Sequence, residues 1–191
     1  MTKNLSGPPK PMWPFEGSPE IDAVADRLQK RNGHIPHLYR PMGHAAHLIP
    51  TWLDFATMMH NQLTVDMGIC ELAVMRKAYL YGADYLWRHH WLLALKSGVT
   101  EEKLRAVPDG SASSAFTPAE AAVIDMADEL HERAELAPEL WKALRIHFAD
   151  KEVVELIVST AWYGCAAETT GCLKIELDDT LVDVPAVPSR W

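Results

Sequence analysis

The sequence predicts an all-α fold, and three observations carry that expectation. From Thr51 onward apolar residues recur at three- and four-residue steps, helix-start and helix-stop signals punctuate the pattern, and no stretch alternates apolar and polar residues as a half-buried strand would. At 191 residues the chain suits one domain, or two halves sharing one core, and can bury most of its apolar surface without disulfides.

The first eighteen residues are rich in Pro and Gly, with Trp13 and Phe15 set between prolines, and read as an extended arm (1–18) docked through those aromatics. Ser18 followed by Pro19 is a cap with proline at the first helical position; it opens a helix to about Asn32 that stops at Gly33. Prolines 36, 41 and 50 then break "HIPHLYRPMGHAAHLIP", leaving room for only a short helix. Trp52, Phe55, Ala56 and Met59 begin the next amphipathic run, which Leu72, Val74, Met75 and Ala78 continue after a short link. Gly82 reads as a helix stop and Asp84 as the N-cap of a helix from Tyr85 to Lys96, closed by Gly98.

Thr100 starts a short helix with Glu101 and Glu102 in its first turn, where negative charge is favoured, and "PDGSASSA" is a low-complexity loop. Thr117, Pro118 and Glu120 form a capping box that opens a helix to about Ala134; another runs from Pro138 to about Phe148, and Asp150 caps a last long helix. The domain expected is 19–178, with a C-terminal tail over 179–191. Placing Glu71 on Glu155 also aligns Tyr79 with Tyr163 and Ala83 with Ala167, a weak internal repeat in which Lys174 stands opposite His90.

A formal net charge of −8 without a Lys/Arg cluster argues against a nucleic-acid partner. The start lacks a basic segment followed by an apolar one, and no uncharged run reaches membrane-spanning length, so a soluble, cytoplasmic protein without a membrane partner is expected. Cys70, Cys165 and Cys172 make no C-x-x-C or zinc spacing and are expected to act as small hydrophobes in a reducing compartment.

Chemistry concentrates in "ELAVMRKAYLYGADYLWRHHWLLALKSGV", where Glu71, His89 and His90 interrupt an apolar, aromatic run. In one straight helix Glu71 and His90 would lie roughly 28 Å apart at 1.5 Å per residue. They can meet only if the chain folds back at Gly82. Ala83, Leu86, Trp87, His90 and Ala94 share one face of the second helix, which aims His90 inward, while His89 points about 100° away, toward solvent or a neighbouring subunit.

The spacing Glu71, Ala83, Leu86, His90 resembles the E-x11-C-x-x-C-x-x-x-H pattern of the alkylhydroperoxidase D and carboxymuconolactone decarboxylase family, with both cysteines replaced. "ADYLWRHHWLLALKSGVTEEKLRAV" is similar to that family's Y-x-W-x-x-H helix and the segment after it, and the likeness extends from about Ile35 to Asp178. The resemblance implies an AhpD-like helical fold, a homo-oligomer (dimer, trimer or hexamer), and no metal or redox cofactor. Thiol peroxidase chemistry needs an attacking and a resolving cysteine, which Ala83 and Leu86 cannot supply. The remaining pair, Glu71 and His90, fits the decarboxylase side of the family: proton transfer on a small carboxylated or cyclic metabolite, with His90 oriented by the carboxylate. Arg40, Arg76 or His44 could hold a substrate carboxylate, and Tyr85 and Trp87 could form walls. Family positions that often carry Arg and Asn are Glu168 and Gly171 here.

Plainer readings stand beside these. Glu71 could pair with Lys77 or Arg76, and His90 could be a satisfied core histidine. His34, His37, His44 and His47 suggest a metal site, but prolines separate them and no acidic ligand is close in sequence. Trp91, Trp162 and Tyr163, with Tyr85 and Trp87, suit core or subunit contacts better than cofactor stacking. The function classes left open are a lyase, an isomerase or hydrolase on the same scaffold, and a non-catalytic binder of a small molecule or protein.

Overall fold

The computed structural model describes residues 19–189. The arm expected over residues 1–18, with its Ser18 cap, lies outside them. Nine α-helices occur in chain order among the described residues: α1 (Pro19–Asn32), α2 (Tyr39–Met42), α3 (Ile49–Asn61), α4 (Met67–Tyr81), α5 (Asp84–Lys96), α6 (Glu101–Ala106), α7 (Pro118–Glu132), α8 (Pro138–His147) and α9 (Asp150–Cys172). A 3-10 turn, Gly43–Leu48, joins α2 to α3. No β-strand is present among the described residues, and no helix there is long and apolar enough to cross a membrane.

Local chemistry accounts for most boundaries. Asp66 caps α4 by accepting the Ile69 N–H, Thr100 caps α6 by accepting the Lys103 N–H, and Thr117 with Glu120 closes a full capping box on α7. Two expected caps are displaced by one residue. Ala83, not Asp84, is the N-cap of α5, because the Asp84 carboxylate is drawn outward to the Arg88 guanidinium (2.9 Å) and the Val187 N–H (2.9 Å). Ala149, not Asp150, is the N-cap of α9; Asp150 pairs with Arg145 at 2.9 Å, and Glu152 accepts the Ala149 N–H at 2.8 Å.

Helix α4 is the axis of the molecule. Ten of its fifteen residues are buried, and α5, α7 and α9 pack around it. One core cluster joins α4, α5 and α9 through Leu72, Met75, Trp87, Tyr163 and Ala167; a second joins α4, α7, α8 and α9 through Cys70, Val123, Leu144 and Leu156. A smaller third cluster holds α1, α2 and α3 together through Leu28, Tyr39 and Leu53. Trp52 and Leu38 touch both the first and third clusters and so seat the N-terminal layer on the rest.

The repeat seen in sequence diverges where it matters most. Gly82 ends α4 in the left-handed region (φ 60°), whereas its counterpart Ala166 is buried within α9, which runs on to Cys172. Cys70 is buried as a small hydrophobe, but Cys165 and Cys172 are exposed on the outer face of α9. The tail is docked rather than loose. Leu181 and Val184 are buried, the Trp87 indole N–H donates to the Pro185 carbonyl, and Arg88 donates to the carbonyls of Leu181, Val182 and Val184.

Candidate active site

The reversal at Gly82 lays α5 back along α4, so Glu71 near the start of α4 meets His90 on α5. His90 Nδ1 lies 2.8 Å from Glu71 Oε2, with side chains only 4% and 2% exposed. Two groups not anticipated from sequence complete the cluster. His60, at the end of α3, places Nδ1 4.0 Å from Glu71 Oε1, and its Nε2 lies 3.1 Å from the Tyr163 hydroxyl on α9. The Tyr163 ring meets the His90 ring edge to face, with centroids 4.6 Å apart. Four helices thus deliver one polar chain, Tyr163–His60–Glu71–His90, in hydrogen-bond contact at its two ends and spaced by 4.0 Å between His60 and Glu71.

This chain borders a cavity of about 90 Å³. Its walls come from four places: Leu38 and Tyr39 ahead of α3; Trp52, Leu53 and Ala56 on α3; Tyr85, Leu86, His89 and His90 on α5; and Trp162, Tyr163, Ala166 and Thr170 on α9. Trp52 and Trp162 pack with centroids 4.4 Å apart. Behind Glu71 is a second, more polar cavity of about 450 Å³, where Asn61, Lys96 and Ser97 join Glu71, His60 and His89. The carboxyl therefore stands in the partition between an aromatic pocket and a polar one.

Burial dominates the electrostatics. It pushes the Glu71 carboxyl up from 4.5 to about 7, against the opposing pull of His60 and His89. It pushes the His90 imidazole down to about 3. Both directions mean that an ion costs too much here unless a partner compensates it. One proton shared between Oε2 and Nδ1 satisfies both groups without leaving an imidazolium. When Glu71 is ionised, Nδ1–H donates to the carboxylate and Nε2 offers a lone pair; when Glu71 is protonated, its O–H donates to Nδ1 and Nε2 carries the proton.

Several residues considered from sequence lie elsewhere. Arg76 is held by structure: its guanidinium makes a two-pronged pair with Asp128 (2.6 and 2.9 Å) and donates to the carbonyls of Val107 and Pro108, fastening the loop after α6 to α4. Arg40 is half-buried and His44 exposed, and neither lines the cavity, because Tyr39 and Met42 take the inward positions of their short helix. Trp87 also lies off the cavity. The face of α5 that meets it comprises Tyr85, Leu86, His89 and His90, so Trp87 turns to the core and the tail.

Tyr85 does line the cavity, with its hydroxyl 2.7 Å from the buried Asp178 carboxylate, which also accepts the His37 N–H at 2.7 Å. Burial and Asp178 hold that phenol well above its ordinary value. His89 faces both cavities and stacks on Tyr85 rather than pointing to solvent. The end of α9 contributes through Thr170, while Glu168 accepts the Tyr81 hydroxyl and Gly171 is exposed. No group of three or more His, Cys, Asp or Glu side chains among the described residues is arranged to hold a metal ion.

Of the two added groups, His60 left a trace in the sequence. It follows Trp52 and Ala56 at successive four-residue steps, so the face of α3 that lines the cavity ends in it. Tyr163 had no such local mark, since its role depends on α9 packing alongside α4.

The chain is similar to known proteins in part of its sequence and in its fold. Residues 52–129 match the model of the carboxymuconolactone decarboxylase family. An uncharacterized peroxidase-related protein from Silicibacter sp. TM1040 superposes with a TM-score of 0.77 at 10% identity, covering 94% of this chain and 98% of that one. The alkylhydroperoxidase AhpD core of an uncharacterized peroxidase-related protein from Ralstonia eutropha JMP134 gives 0.75 at 17% identity, covering 88% and 92%. The debrominase Bmp8 in complex with 2,3,4-tribromopyrrole gives 0.73 at 17% identity, covering 93% and 94%. No curated protein sequence matches the chain.

Proposed function

We propose that this chain, whose residues 52–129 match the model of the carboxymuconolactone decarboxylase family and whose helical fold is AhpD-like, is an enzyme moving a proton on a small cyclic metabolite. In this reading His90 faces the substrate and Glu71 is its proton partner. The observation that carries it is the 2.8 Å contact between His90 Nδ1 and Glu71 Oε2 at the wall of a ring-sized cavity.

The chemistry follows from the shared proton. As Nε2 takes a proton from a substrate C–H or O–H, Nδ1 hands its own proton to Glu71, so the charge ends on the substrate and the imidazole stays neutral throughout. Reversing the relay returns the proton from Nε2 to carbon. A lyase, quenching the carbanion left by a departing group, and an isomerase, returning the proton to another atom, would both use these steps. General acid–base help of this kind is worth roughly 10²- to 10⁴-fold. The site does not favour thiol peroxidase chemistry: Leu86 lines the cavity with hydrocarbon, and the buried Cys70 thiol is pushed up to about 12.

Apolar side chains left on the surface of α5 and α9, namely Leu92, Leu95, Val154 and Val158, support assembly of the chain with copies of itself. The functional test is His90→Gln, read as uptake of deuterium from D2O into cyclic ketones and lactones. The expected outcome is loss of about 10²-fold or more with an unchanged circular dichroism spectrum. Near-normal exchange by the variant would remove His90 from the reaction.

A further inference from the structure

The lining of the aromatic cavity limits what can occupy it. Its described walls carry no Lys or Arg: Arg76 is committed to Asp128, Arg40 lies off the cavity, and Lys96 belongs to the polar cavity behind Glu71. His60, His89, His90 and Tyr163 offer ring nitrogens and a hydroxyl, while Trp52, Trp162, Leu53, Ala56 and Leu86 offer largely apolar surface. Once Glu71 is ionised, an anion placed against His90 would sit one imidazole away from that buried carboxylate, and the basic groups on the described walls are imidazoles, with no permanent cation to offset the repulsion. The volume, about 90 Å³, is smaller than the ~150 Å³ cavity known to hold a benzene molecule, which limits an occupant to a single five- or six-membered ring.

We propose that this cavity takes an uncharged, single-ring molecule bearing one weakly acidic N–H or O–H, and that it discriminates against the carboxylated ring the family's name suggests. The inference rests on the proton-transfer reading for the same site and narrows it. The ring lies against the packed pair of tryptophans, its N–H or O–H donates to His90 Nε2, and the Tyr163 hydroxyl and His60 hold the neighbouring polar atom. With no carboxylate to release, the relay's natural product is a tautomer of the bound ring: Nε2 removes the N–H or O–H proton and returns a proton to a ring carbon.

Binding tests this without turnover. The full-length protein would be titrated at pH 8 with phenol, benzamide and benzoate, followed by two-dimensional NMR. Benzamide and benzoate share a shape and differ in charge. Phenol and benzamide are expected to saturate in the millimolar range and benzoate to bind at least tenfold more weakly. Ala56→Leu, which fills the cavity from α3, should abolish all saturable shifts at His90 and Trp162. Benzoate binding as tightly as benzamide, or no saturable binding of either neutral ring, overturns the proposal. The two readings fail separately: a His90→Gln protein with normal turnover that still prefers benzamide removes only the acid–base assignment, whereas His90-dependent turnover with a preference for benzoate removes only the substrate class.

Discussion

Replacing Glu71 by Gln should make the protein more stable and less active, and the first effect can be worked from the structure. The carboxyl is moved from 4.5 to about 7 by burial, which at about 1.4 kcal/mol per tenfold change in proton affinity makes its ionisation cost the fold about 3 kcal/mol. The sign is set by the raised value. Below pH 4.5 the group is protonated in both states and costs nothing; as pH rises toward 7 the unfolded chain ionises and the folded one resists, so stability drains away. A glutamine keeps the contact, since its amide oxygen can accept the His90 Nδ1–H, and it never ionises. Urea unfolding of both proteins should therefore coincide near pH 4.5 and diverge by about 2–3 kcal/mol in favour of the variant at pH 8.5, with equal m-values. Turnover should fall by about 10²-fold or more, because the amide cannot take the relayed proton. Equal stability differences at the two pH values, or a destabilised variant at pH 8.5, would refute the account of Glu71 as a carboxyl strained by burial.

Other substitutions separate scaffold from chemistry. Arg76→Ala should cost about 2–4 kcal/mol, since it strands Asp128 and unfastens the loop after α6, yet leave substrate affinity unchanged; a rise in KM without loss of stability would return Arg76 to the site. Asp178→Asn should lower stability by about 1–3 kcal/mol, because an amide can accept from only one of the two donors, Tyr85 O–H and His37 N–H, that the carboxylate holds. Thermal unfolding at neutral pH reads it, and an unchanged midpoint would show that the two bonds contribute no net stability.

How much of this was legible in the sequence depends on the range of the interaction. Features governed by a few neighbouring residues were readable: the Pro19 helix start, the Thr117 capping box and the stop at Gly82 all rest on local hydrogen bonds or backbone freedom. The all-α class followed from periodicity. Caps misplaced by one residue at Asp84 and Asp150 failed because other partners compete for those carboxylates: Val187, 103 positions away, for the first, and Arg145 on the preceding helix for the second. Arg76 illustrates the larger difficulty: a cation near a candidate acid reads as a substrate clamp until the fold brings Asp128 beside it, 52 positions away. Tyr163 was assigned to packing, and its second use depends on where α3 puts His60.

The docked tail has a bearing on how the protein can be handled. Residues 181–187 grip α5 through Trp87, Arg88 and Asp84, and α5 also carries His90. Val182 and Asp183 are exposed between the buried Leu181 and Val184, so a cut there, once the Arg88 contacts open, would not require the core to unfold. A nick there would release a clasp from the outer side of the helix whose inner side holds His90. Loosening of α5 by local opening, rather than global melting, would then be the first route to inactivation. A bulky fusion joined directly after Val187 would act on the same lever.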